Sequence, residues 1–237
     1  NISPHSQMDA TVILGSIGII MISLLVQNAT RISLGDAEAY APMYRPISLW
    51  MSGWFAAGAG TEILFEVSWW IHIVAVLALM NLLPYSKHFH VITSIPNTFF
   101  SNRGVKKEHD GALAALDLED EEAEKFGASD IEDLTWKQLF DSYTCTECGR
   151  CTAVCPANLT GKILSPKKII TDTRARLSEK APVMVAGTED SPVLEKQLMH
   201  DFITAEELWS CTTCRACVQE CPVMIEHVDQ IVDMRRE

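Results

Sequence analysis

Residues 145–156 read CTECGRCTAVCP and residues 211–222 read CTTCRACVQECP, and between them they hold all eight cysteines of the 237-residue chain. Each is Cys-x2-Cys-x2-Cys-x3-Cys-Pro. Three cysteines at this spacing wrap a tight turn and aim three thiolates at three irons of a cube, while the fourth reaches away to a second cube. The spacing predicts two [4Fe–4S] clusters, one on Cys145, Cys148, Cys151 and Cys221, the other on Cys211, Cys214, Cys217 and Cys155. Zinc usually takes two separate Cys-x2-Cys pairs per tetrahedral site, which a triplet followed by Cys-Pro does not supply. Disulfides fail on location, because a reducing cytoplasm keeps thiols free.

The sequence around these runs is helical in pattern. LTWKQLFDSY (134–143) precedes the first run, SPKKIITDTRARLSEK (165–180) and SPVLEKQLMHDFITAEELWS (191–210) fill the long gap, and VMIEHVDQIVDM (223–234) follows the second. Ser165-Pro166 and Ser191-Pro192 read as helix starts, with serine as the cap and proline at the first helical position. No strand-like alternation interrupts them, so residues 135–237 are expected to form an all-α domain carrying both clusters. Residues 105–134, with LEDEEAEK and SDIEDL, read as a solvated acidic linker.

Residues 1–104 have a different character. Two stretches, about 10–30 and 66–86, are long and apolar enough to cross a bilayer, since about 20 helical residues span its hydrocarbon core. Neither resembles a cleaved signal peptide. Lys87, Arg103, Lys106 and Lys107 follow the second span, an excess of positive charge that places everything after about residue 87 in the cytoplasm. The segment at about 47–61 is apolar but interrupted by Gly58 and Gly60; it reads as an interfacial helix with Trp50 and Trp54 at headgroup depth, while Trp69 and Trp70 mark the outer end of the second span. The chain opens on Asn1 and is expected to be a piece of something longer. A net charge of −12 argues against nucleic-acid binding, which needs a basic surface.

An ionisable residue inside a span points to function. His72 lies in the second span, and His90 follows 18 residues later. At 100° per residue, 18 residues make five whole turns, so one continuous helix would carry both imidazoles on one face, near opposite membrane surfaces, as in di-haem cytochrome b helices. His88 would point elsewhere on an ideal helix, although Pro84 disturbs the count. The same residues admit plainer roles: His72 bonding a neighbouring helix, and His88 and His90 meeting headgroups beside Lys87. A second axial imidazole would come from outside the fragment, or from His5. His109, His200 and His227 read as surface or packing histidines, with His227 close enough to Cys221 to bond a cluster.

The stretch WWIHIVAVLALMNLLPYSKHFHVITSIPNTFF (69–100), an acidic linker and two Cys-Pro runs together resemble the membrane-bound, heterodisulfide-reductase-related iron–sulfur oxidoreductases, whose relatives include electron-transfer-flavoprotein:menaquinone oxidoreductases. The resemblance implies a cytochrome-b-like membrane domain similar to the nitrate reductase gamma subunit, with one or two haem b groups and a quinone site, joined to a cytoplasmic cluster domain. It implies electron flow from reduced electron-transfer flavoprotein, or another cytoplasmic redox partner, through clusters and haem b to menaquinone. The alternatives are a non-catalytic membrane anchor and relay within a larger complex with further subunits, or quinol-driven reduction of a disulfide-type acceptor. Relative to that family, the sequence lacks the first membrane helices and the cysteine-rich modules that usually follow.

Overall fold

The computed structural model describes residues 4–35, 44–101, 113, 119, 125–188 and 190–237. Most of the 105–134 stretch, His109 and the side chain of His5 lie outside the described residues. The chain divides into two compact units, Asn1–Lys87 and His88–Glu237. That division falls N-terminal to the boundary read at residue 104.

In the first unit, α1 (Pro4–Ser33) packs along α3 (Ala59–Leu82), and the short α2 (Pro46–Ser52) leans on α1. Apart from Ile13, the buried positions are small or polar, among them Ser23, Ala29, Thr30, Thr61 and Ser68, whereas Leu14, Ile22, Ile63 and Met80 are exposed. Water would select the opposite arrangement. In lipid, small residues let backbones approach and outward apolar side chains find an apolar solvent. Gln7–Ser33 and Ala59–Tyr85 are each long and apolar enough to cross a membrane.

Two sequence expectations change here. The interfacial helix expected at 47–61 ends at Ser52, because Gly53 and Trp54 turn back onto the carbonyls of Trp50 and Met51 and α3 restarts at Ala59. The helix carrying His72 ends at Leu82. A 3-10 turn spans Leu83–Tyr85, Ser86 is extended, and a further 3-10 turn spans Lys87–Phe89 before α4 (His90–Phe99) begins. The 100° count from His72 therefore does not run through to His90; Pro84 sits in the first of these turns and cannot donate the helical hydrogen bond.

The second unit has no named strand among its described residues and only one isolated bridge, Met199 to Ile203. Its helices are α5 (Trp136–Thr144), which packs against α4, the one-turn α6 (Arg150–Ala153) and α7 (Pro156–Leu159), the long α8 (Pro166–Ala186), and the short α9 (Ala205–Trp209), α10 (Ala216–Gln219) and α11 (His227–Arg235). Thr135 and Gln138 cap α5 reciprocally, and Ser165 caps α8 by accepting from the Lys168 amide at 3.3 Å. The core gathers Leu134, Leu164, Ile169, Leu198, Ile203 and Ile231. Ser191-Pro192 starts only a turn, not a helix. The carbonyls of Val193 and Lys196 accept from the Arg176 guanidinium and are lost to helical bonding.

Residues 125–134 are not a solvated linker. Ala128, Asp130, Ile131 and Leu134 are buried, and the Met199 and Ala128 amides donate to Ser129 and Asp233 carbonyls. Asp130 accepts from Arg176 at 2.7 Å and Lys180 at 2.7 Å. Arg176 is fully buried, so its charge is tolerable only beside such an acceptor. Burial opposes ionisation of Asp130, but bonds from Arg176 and Lys180 outweigh it and hold the carboxyl below the usual carboxylate range. Its contribution is therefore complete above the ordinary carboxylate pKa of about 4, declines as pH falls from there, and is lost once pH has passed below the lower folded value. Asp130→Ala would take the close carboxylate from buried Arg176 and leave Lys180 only its pairing with Glu132, and it is expected to lower unfolding stability by about 3 kcal/mol at neutral pH, read by chemical denaturation.

Candidate metal centres

In each cysteine run the chain makes the same unusual turn. The residue before the second cysteine is left-handed, Glu147 at φ 56° and Thr213 at φ 53°. So is the residue after it, Gly149 at φ 79° and Arg215 at φ 63°. Non-glycine residues adopt this region at a cost of roughly 1–2 kcal/mol each, which persists where surroundings over-determine it. The turn brings amides toward sulfur: the Thr213 N–H lies 3.4 Å from Cys211 Sγ. The third cysteine then sits on a one-turn helix, Cys151 on α6 (Arg150–Ala153) and Cys217 on α10 (Ala216–Gln219).

The fourth cysteines cross over. One pocket, open to solvent, is lined by Cys145, Cys148, Cys151 and Cys221, with Val223 and His227 beside them. The other is lined by Cys211, Cys214, Cys217 and Cys155. Among the described residues no three His, Cys, Asp or Glu side chains converge tightly enough to hold a single metal ion. Four sulfurs around a volume suit a polynuclear cluster better than one zinc ion, and thiolates are the ligands that [4Fe–4S] clusters take.

Cys145, Cys151, Cys155, Cys217 and Cys221 are buried, whereas Cys148 and Cys214 are exposed, so each cavity reaches the surface at its second cysteine. Burial pushes the Cys145 and Cys151 thiols up to about 11, the Cys217 thiol up to about 12, and the Cys221 thiol upward as well. Cys148 moves the other way. Burial raises it, but the Arg150 amide, the Thr146 side chain and the Arg150 charge together outweigh that. Thiols that hold their protons this firmly must release them to bind iron, so loading is coupled to deprotonation.

Several supporting residues were invisible in the sequence. Arg174 donates to the Cys145 carbonyl at 3.2 Å and pairs with Glu147, and Arg235 donates to the Cys211 carbonyl at 2.5 Å. An arginine from a distant helix thus fixes the first cysteine of each run; Arg235 lies on α11 (His227–Arg235). Asn97, fully buried on α4, donates to the Val223 carbonyl at 2.9 Å and to Asp141 at 2.8 Å. The Ile225 amide approaches Cys221 Sγ at 3.4 Å. Of the surface and packing roles open to it, His227 takes the packing one: it is buried. Its Nδ1 bonds the Ile225 carbonyl at 3.1 Å, and burial pushes its pKa down to about 4, so the ring is neutral at physiological pH.

His72 Nδ1 lies 3.1 Å from the Ile20 carbonyl and 3.2 Å from Ser23 Oγ, both on α1. A carbonyl only accepts, so Nδ1 donates in that contact and Nε2 is the nitrogen left to face a metal, the arrangement second-shell bonding gives a metal-ligating histidine. It is equally the interhelical bond expected of a packing histidine. His88 and His90 belong to the second unit, with ring centroids 5.9 Å apart.

Residues 144–225 match the 4Fe-4S dicluster domain family. The chain is 36% identical, over 96% of its length, to a probable iron-sulfur-binding oxidoreductase, FadF, of Bacillus subtilis (strain 168), of which it spans 36%. It is 36% identical over 71% of its length to an EtfAB:quinone oxidoreductase of Syntrophomonas wolfei, and 42% identical over 60% to a probable membrane-anchored ferredoxin of Chromohalobacter salexigens. It spans 25% and 22% of those two relatives. No solved structure matches.

The crossover has a testable signature in paired variants. Cys155→Ala and Cys214→Ala should each abolish the same cluster, so the double variant should retain about half the wild-type iron, as each single variant does. Cys155→Ala with Cys148→Ala should lose both clusters. Iron analysis with electron paramagnetic resonance of the purified full chain distinguishes these cases.

Proposed function

We propose that this relative of the iron–sulfur oxidoreductases, with its 4Fe-4S dicluster domain, is the membrane-anchored electron-transfer part of a quinone-reducing enzyme. In this reading electrons come from a cytoplasmic donor, reduced electron-transfer flavoprotein, and pass by way of two [4Fe–4S] clusters and haem b to menaquinone. The observation that carries it is the exchange of Cys155 and Cys221 between the two four-sulfur cavities. The clusters and haem would supply one-electron redox chemistry; the chain fixes their spacing and surroundings.

The parts of the chain have distinct work. α1 and α3 would cross the bilayer, with the dicluster domain on the cytoplasmic side. Cys148 and Cys214 reach the surface, where a soluble partner could approach within electron-transfer range. Arg174 and Arg235 hold the two runs in register. His72, with Nδ1 anchored on Ile20 and Ser23, would present Nε2 to haem b. The name of the Syntrophomonas relative supports the direction of flow and the flavoprotein partner.

A second reading, an anchor and relay with no catalytic site of its own, is favoured by the likeness to a probable membrane-anchored ferredoxin. Quinol-driven reduction of a disulfide-type acceptor would use the same wiring in reverse. The first reading predicts that Cys148→Ala leaves haem absorbance intact while uncoupling oxidation of the flavoprotein from quinone reduction. His72→Ala should lower haem content with both cluster signals retained; an unchanged haem spectrum in that variant removes His72 as a ligand.

A further inference from the structure

α4 is amphipathic in the reverse sense for a helix of a water-soluble domain. Its inward positions in the second unit are polar: Thr93 is buried, and Asn97 is 0% exposed where it bonds Val223 and Asp141. Its outward positions are apolar. Val91, Ile95 and Phe99, four residues apart and so on one face, are exposed, Ile95 by 75% and Phe99 by 78%, with Ile92 beside them. Phe100 continues the patch and meets exposed Trp136 of α5 edge to face, with ring centroids 5.4 Å apart. An apolar patch of this kind on a soluble unit marks an interaction surface.

We propose that this face of α4, with Phe100 and Trp136, seats the dicluster unit on the lipid surface as a monotopic interfacial helix. The inference rests on the reading that α3 spans the bilayer. Four residues separate Tyr85, the end of that apolar stretch, from His90, the start of α4. At roughly 3.5 Å per residue they cannot carry α4 more than about 20 Å from the end of the span. The sequence on both sides is basic, with Lys87 before α4 and Arg103, Lys106 and Lys107 after it, in a chain of net charge −12. Local positive charge flanking aromatic and aliphatic side chains suits an anionic headgroup layer over acyl chains.

The seat would also orient the wire. Asn97 ties the inner face of α4 to the Val223 carbonyl, two residues beyond Cys221. A bilayer under α4 therefore bears on the cavity of Cys145, Cys148, Cys151 and Cys221, which becomes the membrane-side centre.

The test uses the full chain reconstituted in phosphatidylglycerol and phosphatidylethanolamine vesicles, with p-benzoylphenylalanine replacing Ile95, Phe99 or, as a control, exposed Lys162. Retention of cluster absorbance shows that each variant is folded. After irradiation, mass spectrometry should find lipid adducts at positions 95 and 99 well above those at position 162. Adducts to polypeptide in place of lipid, or yields at 95 and 99 no higher than at 162, overturn the proposal. Carbonate extraction separates the two levels: release of the chain refutes the spanning reading itself, whereas a carbonate-resistant chain without lipid adducts refutes only the seat.

Discussion

The exchange of one cysteine between two runs is the constraint on which the second unit depends. Cys155 leaves its own triplet for the cavity of the other, and Cys221 returns the exchange. Neither cavity has four sulfurs unless both runs are folded and facing each other. Cluster binding and folding are thus one process, because a ligand set that does not exist in the unfolded chain makes binding energy into folding energy. The left-handed turns at Glu147, Thr213 and Arg215 are backbone strain that such a centre can hold in place.

Around this exchange the structure spends its buried polar groups on position. Arg174 and Arg235 each hold the first carbonyl of a run, and Asn97 holds the segment after Cys221. Farther out, Arg176 with Asp130 and Lys180 pins residues 125–134 and the 193–196 turn to α8. A buried charge of this kind is worth little as net stability but costs much to unpair. It specifies where otherwise featureless segments must lie.

Much of this was legible in the residues. The spacing of the eight cysteines pointed to the two sets of four that line the two pockets, since regular spacing encodes a local turn, and the helical pattern with Ser165-Pro166 marked α8. The two apolar stretches were plain from length alone. What escaped was long-range. SDIEDL looks like a solvated run unless one knows that Arg176 and Lys180, some 50 residues on, aim at Asp130. Ser191-Pro192 carries a helix-start signal that the same arginine defeats by taking the carbonyls. The count from His72 to His90 assumed an unbroken helix, and the turns around Pro84 break it. For His227 the residues left surface and packing roles open, because nothing local shows that α11 buries its first turn.

The two units obey opposite rules of burial, one apolar outward and the other apolar inward except along α4, and an electron path joining lipid to cytoplasm would need both environments. With Cys155 and Cys221 exchanged, two cubes would sit side by side with interlocked ligands. Paramagnetic resonance of the fully reduced chain reads that arrangement. Ligand exchange places the centres close enough for their spins to interact, so the account predicts a broadened, mutually coupled spectrum that simplifies to a single-cluster signal on partial reduction. A sum of two independent signals at full reduction, or a colourless, zinc-loaded chain with no signal, would contradict it.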